Sequence, residues 1–219
     1  MKPAAFFFDL DGTLIDSEQL WTQAIIDWLA DRSVAVTLED FAPRVCGRSW
    51  LDIHAALHRD HPQLPRASAL EDAKTLRPYY HRLCADPARL IIPGAVAFFR
   101  KAARVAPCAI VSGSPHEDVE EAARLCGIAH LLEFVLGGED YGRGKPAPDG
   151  YLAAAARLDV DASECVVVED STSGVASGRA AGMRVIGVDR NRLCPQNFTG
   201  CDWLVRDLSE LDPDALLEN

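Results

Sequence analysis

The sequence predicts a doubly wound α/β fold, a parallel sheet of the Rossmann type, carrying a small inserted domain made only of helices. Six short runs are apolar throughout, as strands covered on both faces of a parallel sheet must be. Helical patterns separate most of these runs, and one long interval, residues 17–89, holds helical patterns and no strand.

The strand runs are residues 4–8, 108–111, 134–136, 165–168, 185–188 and 203–205. Between them, residues 95–105, 116–126, 148–158 and 174–181 read as helices. In such a fold, ligands sit outside the C-terminal ends of the strands. The predicted core is therefore residues 1–16 plus 90–219, and residues 17–89 form a helical cap. Its helices have start signals in Ser17 before 18–29, Thr37 before 38–41 and Ser49 before 50–58. Pro62, Pro65, Pro87 and Pro93-Gly94 punctuate its end and its return to the core. A module inserted just after the first strand is expected to serve as a lid over that strand's C-terminal end.

Composition narrows the function. The chain has 219 residues, 48% hydrophobic and 25% charged, as a globular protein does. A net charge of −11 argues against nucleic acid, whose phosphates need concentrated Lys and Arg. A small anionic metabolite stays compatible if a metal ion and a few basic residues make a local positive site. The apolar run before Asp9 is too short for a signal peptide or a membrane span. Seven cysteines without a Cys-x-x-Cys pair suit reduced thiols, so a cytoplasmic location is expected. A monomer is the expected state, with an oligomer left open.

Four constellations follow predicted strands. Asp9-Leu10-Asp11-Gly12-Thr13 delivers two carboxylates to the sheet edge, one suited to attack phosphorus and one to exchange protons, and Gly12 permits a sharp turn. An EF-hand loop is excluded, because Gly12 comes too early and no glutamate follows at the required position. In Ser112-Gly113-Ser114-Pro115-His116-Glu117, the Ser112 hydroxyl and the Gly113 N–H can face a phosphate. Ser114 with Glu117 three residues on reads as a capping box. Gly144-Lys145-Pro146 holds an ammonium that can stabilise a transferring phosphoryl group. Glu169-Asp170-Ser171 closes a buried strand with two acids, which are costly to bury unless something positive such as magnesium neutralises them; the alternative is helix capping by Asp170 or Ser173. One phosphoryl-transfer site accounts for all four.

On Asp9-Leu10-Asp11-Gly12-Thr13-Leu14, Val111-Ser112-Gly113-Ser114, Gly144-Lys145-Pro146-Ala147-Pro148 and Glu169-Asp170-Ser171-Thr172-Ser173-Gly174, the sequence resembles the haloacid dehalogenase superfamily, in its phosphatase branch with a small helical cap. The resemblance implies that Asp9 forms an aspartyl-phosphate, Asp11 is the acid/base, and Ser112, Gly113 and Lys145 hold phosphate. It also implies Mg2+ held by Asp9, the carbonyl of Asp11 and Asp170, with Glu169 in support. Dehalogenases of the superfamily lack the second aspartate, so Asp11 argues against that activity. Phosphonate-cleaving relatives need a cap lysine, and residues 17–30 have none.

Arg44-Val45-Cys46-Gly47 is similar to the cap motif of phosphoglucomutase-like relatives. Those relatives carry a histidine ten residues after the acid/base aspartate, where this chain has Trp21. The segment 16–21 is more similar to sugar-phosphate phosphatases. Hydrolysis of a sugar or polyol phosphate is thus the expected activity, a phosphoglucomutase-like transfer is the alternative, and a non-catalytic phosphometabolite-binding protein is a third reading. Substrate choice is expected to rest on Arg44, Gly47, Arg48 and Trp21, with Trp28 and Trp50, and Trp21 as well, in the cap core. His54, His58 and His61 fall on one side of a predicted helix, where they could bind a transition metal, but no carboxylate or cysteine stands at a known zinc spacing and Pro62 is expected to end the helix, so they read as a solvated face.

Overall fold

The computed structural model describes residues 3–45, 50–190 and 195–216. The chain divides into two compact units, Met1–Ile15 with Ile91–Asn219, and Asp16–Leu90. The first contains a six-stranded, wholly parallel sheet built from β1 (Ala5–Phe8), β2 (Cys108–Val111), β3 (Phe134–Leu136), β4 (Cys165–Glu169), β5 (Arg184–Val188) and β6 (Trp203–Val205). Their order is β3-β2-β1-β4-β5-β6, so the chain steps outward one way to β3 and then returns across β1 to build the other half. That reversal opens a crevice at the C-terminal ends of β1 and β4, where ligands bind in folds of this kind. Every residue of β1, β2 and β4 is buried, which explains their unbroken apolar runs. Two strands outrun their apolar signal. Glu169 pairs in register with Gly187, and Arg184 with Val166, because ladder bonds use backbone whatever the side chain.

Among the described residues, the regular structure of the second unit is helical: α1 (Ser17–Ala30), α2 (Leu38–Val45), α3 (Trp50–Asp60), α4 (Ala69–Cys84) and the short α5 (Pro87–Leu90). Along α1 the buried side chains Leu20, Ala24, Ile25, Trp28 and Leu29 recur at helical spacing and make one apolar stripe. Trp28 turns its Nε1 to Thr75 Oγ1 on α4, 2.9 Å away, so its one polar atom is satisfied within the packing. Ser68 and Glu71 close a reciprocal capping box at the start of α4.

Several local expectations for this unit are corrected. Ser17 is the first residue of α1 and is buried, with Asp16 at the N-cap position. Thr37 does accept from Asp40 N, but α2 runs past Phe41 to Val45. Ser49 lies outside the described residues. Trp50 is half-buried and donates to Ala69 O, whereas Trp21 leaves the core, 36% exposed and stacked on Tyr80 at 4.4 Å. His54 and His58 are not a solvated face. Both lean on the buried carboxylate of Asp72, which α4 supplies from its first turn.

Back in the first unit, α6 (Ala95–Val105), α7 (His116–Leu125), α8 (Asp149–Leu158) and α9 (Thr172–Ala180) complete the alternation. Strand geometry sends successive side chains to opposite faces. Phe6 and Phe8 accordingly meet Phe98 and Phe99 of α6, the closest ring pair being Phe8 and Phe99 at 4.7 Å. Phe7 packs on the other side with Tyr151, Ala154 and Val175 from α8 and α9. Each such side chain stabilises the fold by about 1.5–3 kcal/mol when fully buried. The two crossings between units are tied on both sides. Ile15 bridges Ile91, and Ile92 N donates to Leu14 O, within the first unit; Asp16 N donates to Leu90 O within the second. Among the described residues, no helix is long and apolar enough to cross a membrane.

Candidate active site

Buried strands end at one edge of the sheet, and their last residues set the first layer of the site. Asp9 follows β1 directly, with its N–H donating to Val168 O of β4. The chain then turns at once. Gly12 sits at φ 91°, a left-handed conformation that a side chain disfavours, and its N–H reaches Ile15 O at 2.6 Å. This turn lifts Asp11 beside β2, where its Oδ2 accepts from Ser112 Oγ (3.1 Å) and Ser114 Oγ (2.6 Å).

That contact overturns the capping reading of Ser114. The helix it precedes, α7, has Pro115 at its N-cap position, with no side-chain cap. The exposed N–H of His116 is taken by Glu139 Oε1 from the loop after β3 instead. Ser114 is thereby free to serve Asp11, while its own N–H donates to Ser112 Oγ at 3.0 Å. The same loop braces the strand end, since Gly138 N donates to Ser114 O and Tyr141 OH to Ser112 O. Gly113 has open space around the position of a side chain.

Lys145 reaches in from the loop before α8. Its Nζ lies 2.5 Å from Asp9 Oδ1 and 2.6 Å from Glu169 Oε1, and donates also to Val111 O at 3.1 Å. Burial favours the neutral amine, but Asp9 and Glu169 prevail and hold Lys145 well above the ordinary lysine value. It therefore stays an ammonium. Glu169 is fully buried and also accepts from Tyr151 OH on Oε1, and from Asp170 N and Ser171 Oγ on Oε2. Gly174 makes room for it, because a Cβ there would lie 1.8 Å from the Glu169 carboxyl carbon. Asp170 accepts from Thr13 Oγ1 at 3.2 Å, and the cap of α9 is Ser171, which accepts from Gly174 N. Helix capping thus explains neither Asp170 nor Ser173.

Oxygens of Asp9, Glu169 and Asp170 converge within 4.8 Å of one another, all three residues buried. Burial pushes the Asp9 carboxyl well above the usual aspartate range; Lys145 opposes this, while Glu169, Asp170 and Asp11 add to it. Three carboxylates around one ammonium leave a buried excess of negative charge, the condition a divalent cation neutralises. An all-oxygen donor set suits a hard ion.

Six residues singled out from sequence thus come to one sheet edge in two contacting groups, Asp9, Lys145, Glu169 and Asp170 in one and Asp11 with Ser112 in the other, with Gly113 beside them. Tyr151 and the 137–141 loop are not marked by the sequence, and Thr13 and Gly174 stand in the quoted motifs without a role, since nothing in their local sequence marks a partner far along the chain. Among the cap residues, Trp21 and Arg44 belong to the helical unit, where Arg44 Nη1 lies 3.6 Å from Asp60 Oδ2. Gly47 and Arg48 lie outside the described residues.

Comparison with known proteins bears on this arrangement. A family model described as haloacid dehalogenase-like hydrolase matches residues 3–182. The protein CbbY of Rhodobacter capsulatus is 29% identical over 230 residues, covering 100% of this chain and 99% of its own. Hexitol phosphatase A of Escherichia coli strain K12 is 30% identical over 204 residues, covering 86% of this chain and 84% of its own. Among solved structures, a HAD family hydrolase from Deinococcus radiodurans R1 with bound phosphate and sodium superposes with a TM-score of 0.75 at 29% identity, covering 94% of this chain and 92% of that one.

Proposed function

The chain belongs to the haloacid dehalogenase-like hydrolases, and from that premise we propose that it is a magnesium-dependent phosphatase of a small sugar or polyol phosphate, working through an aspartyl-phosphate on Asp9. The observation that carries this reading is the pairing of two carboxylates with different partners. Asp9 is held by the Lys145 ammonium, and Asp11 by the hydroxyls of Ser112 and Ser114. Unlike surroundings give two like groups separate tasks.

In this reading Asp9 attacks phosphorus, and Asp11 gives its proton to the departing ester oxygen. Asp11 then takes a proton from water, which attacks the phosphorus and frees Asp9. Lys145, Ser112 Oγ and the Gly113 N–H hold the phosphoryl oxygens throughout. Asp9, Asp170 and the Asp11 carbonyl would hold Mg2+, with Glu169 acting in support, since it already accepts from five donors, the fifth being Ser171 N. The ion supplies charge neutralisation for the transferring phosphoryl group. Substrate choice falls to the helical unit, through Arg44, Gly47, Arg48 and Trp21. The hexitol phosphatase relative is the support for the sugar or polyol class.

Phosphate release from a panel of sugar, polyol and two-carbon phosphates, with and without magnesium, tests the proposal. Wild type should release phosphate only with the ion, and Asp9→Asn should lower the rate at least about a thousandfold. Equal rates in the two proteins would refute the role of Asp9. Phosphate moved within a substrate, rather than freed, would indicate a mutase.

A further inference from the structure

Within the helical unit, three side chains converge in a way that hydrolysis does not use. His54 and His58 stand four residues apart on α3, so both imidazoles lie on one face. Both aim at one atom: His54 Nε2 lies 3.2 Å from Asp72 Oδ2, and His58 Nε2 lies 2.7 Å from the same oxygen. Their rings are 4.4 Å apart between centroids. Asp72 is only 6% exposed, and a carboxylate in such a place requires a positive or strongly donating partner. His58 hydrogen-bonds to it. His54 does not, for its Nε2 is buried and lacks a hydrogen-bond partner of sound geometry despite the close approach. An orphaned ring nitrogen aimed at a shared point is what a ligand without its ion looks like.

We propose that His54, His58 and Asp72 form a metal site, separate from the carboxylate cluster, that takes zinc or a similar transition-metal dication and ties α3 to α4. Two imidazoles and one carboxylate suit such ions, whereas magnesium prefers oxygen ligands and water. Zinc bonds of about 2.0–2.2 Å in a tetrahedron place ligand atoms roughly 3.3 Å apart. The His54–Asp72 spacing already matches, and His58 would have to open by about half an ångström. A reason for such a staple is visible in α3 itself, where Leu57 is the buried apolar anchor and Leu51 is 68% exposed. A helix with so little apolar anchorage gains most from a metal clip. Because α3 begins two residues after Arg48 in the chain, the ion would hold a helix that adjoins in sequence the segment proposed to choose the substrate. The site does not depend on the hydrolytic reading.

The test strips the full-length protein with a chelator and titrates it with zinc in millimolar magnesium, following heat of binding and thermal melting. A single zinc ion per chain should bind and raise the melting temperature by roughly 5 °C. His54→Gln and His58→Gln, checked for helicity by circular dichroism, should each weaken binding at least about tenfold. Asp170→Asn should leave zinc binding unchanged. Cobalt in wild type gives a readout independent of any variant, since four-coordinate ligation through imidazole produces intense visible bands that an all-oxygen octahedral site lacks. Zinc binding lost in Asp170→Asn, unmoved by both histidine variants, or absent in magnesium would overturn the proposal and leave a metal-free His–Asp–His cluster.

Discussion

Glu169 has no access to solvent, and its charge is answered by Lys145 Nζ 2.6 Å away. Removing one partner of a buried ion pair strands the other, at a typical cost of about 3–5 kcal/mol. Lys145→Met should lower stability by that order in urea unfolding and abolish phosphate release as well. Gly174→Ala probes the same residue by crowding, for the added methyl would occupy the place of the Glu169 carboxyl group. A loss of about 1–3 kcal/mol in the same unfolding measurement is expected. Most of the charged site was legible in the sequence, because Asp9, Glu169 and Asp170 follow or close an apolar run where buried charge demands an explanation, and because Lys145 is set between Gly144 and Pro146. Tyr151 and Gly174 were not. A tyrosine inside a helix is ordinary, a glycine in a first helical turn names no partner by itself, and only the tertiary approach of Glu169 gives these two their meaning.

At the scale of elements, the ends of helices show how local signals succeed or mislead. The Ser68–Glu71 box at α4 is a purely local device, and Ser68→Ala should cost about 1 kcal/mol, read from the thermal melt. Ser114 and Glu117 carry a similar spacing, yet Ser114 turns to Asp11, because a charged acceptor outcompetes an N–H that Glu139 already satisfies. The start of α7 also has a pH signature. Its His116 Nδ1 lies 2.5 Å from Asp140 Oδ2, and this bond raises the His116 pKa above the ordinary histidine value of 6.5, although burial opposes it. The folded state then binds this proton more tightly than the unfolded one. Its stabilisation is full below about pH 6.5 and is lost as pH rises through the raised value. Asp140 is lowered by the same bond and by Gly137 N–H, so its share is lost as pH falls through its depressed value. Both side chains are partly solvated, and the pair contributes less than about 1 kcal/mol. An NMR titration should place His116 above its ordinary value in wild type and near it in Asp140→Asn.

Across the whole molecule, the parallel sheet was legible because every strand of its centre is apolar on both faces, and because helices alternate with strands outside residues 17–89. The histidine face was visible in the sequence but its carboxylate was not, since Asp72 joins His54 and His58 only when α3 and α4 pack. The two units are connected at Ile15–Asp16 and Leu90–Ile91, and each crossing pair is hydrogen-bonded within its own unit. Replacing residues 16–90 by a short Gly-Ser turn should therefore leave a core that melts cooperatively by circular dichroism and keeps the carboxylate cluster intact. A gradual, non-cooperative melt would mean that the core needs the helical unit to fold. The paired Ile15 and Ile91 have a consequence for descent as well as for folding. If the helical unit chooses the substrate as proposed, a gene that exchanges everything between these two codons keeps the strand ends that carry the reactive centre and receives a different choice of substrate, so recombination at two points would suffice to change specificity.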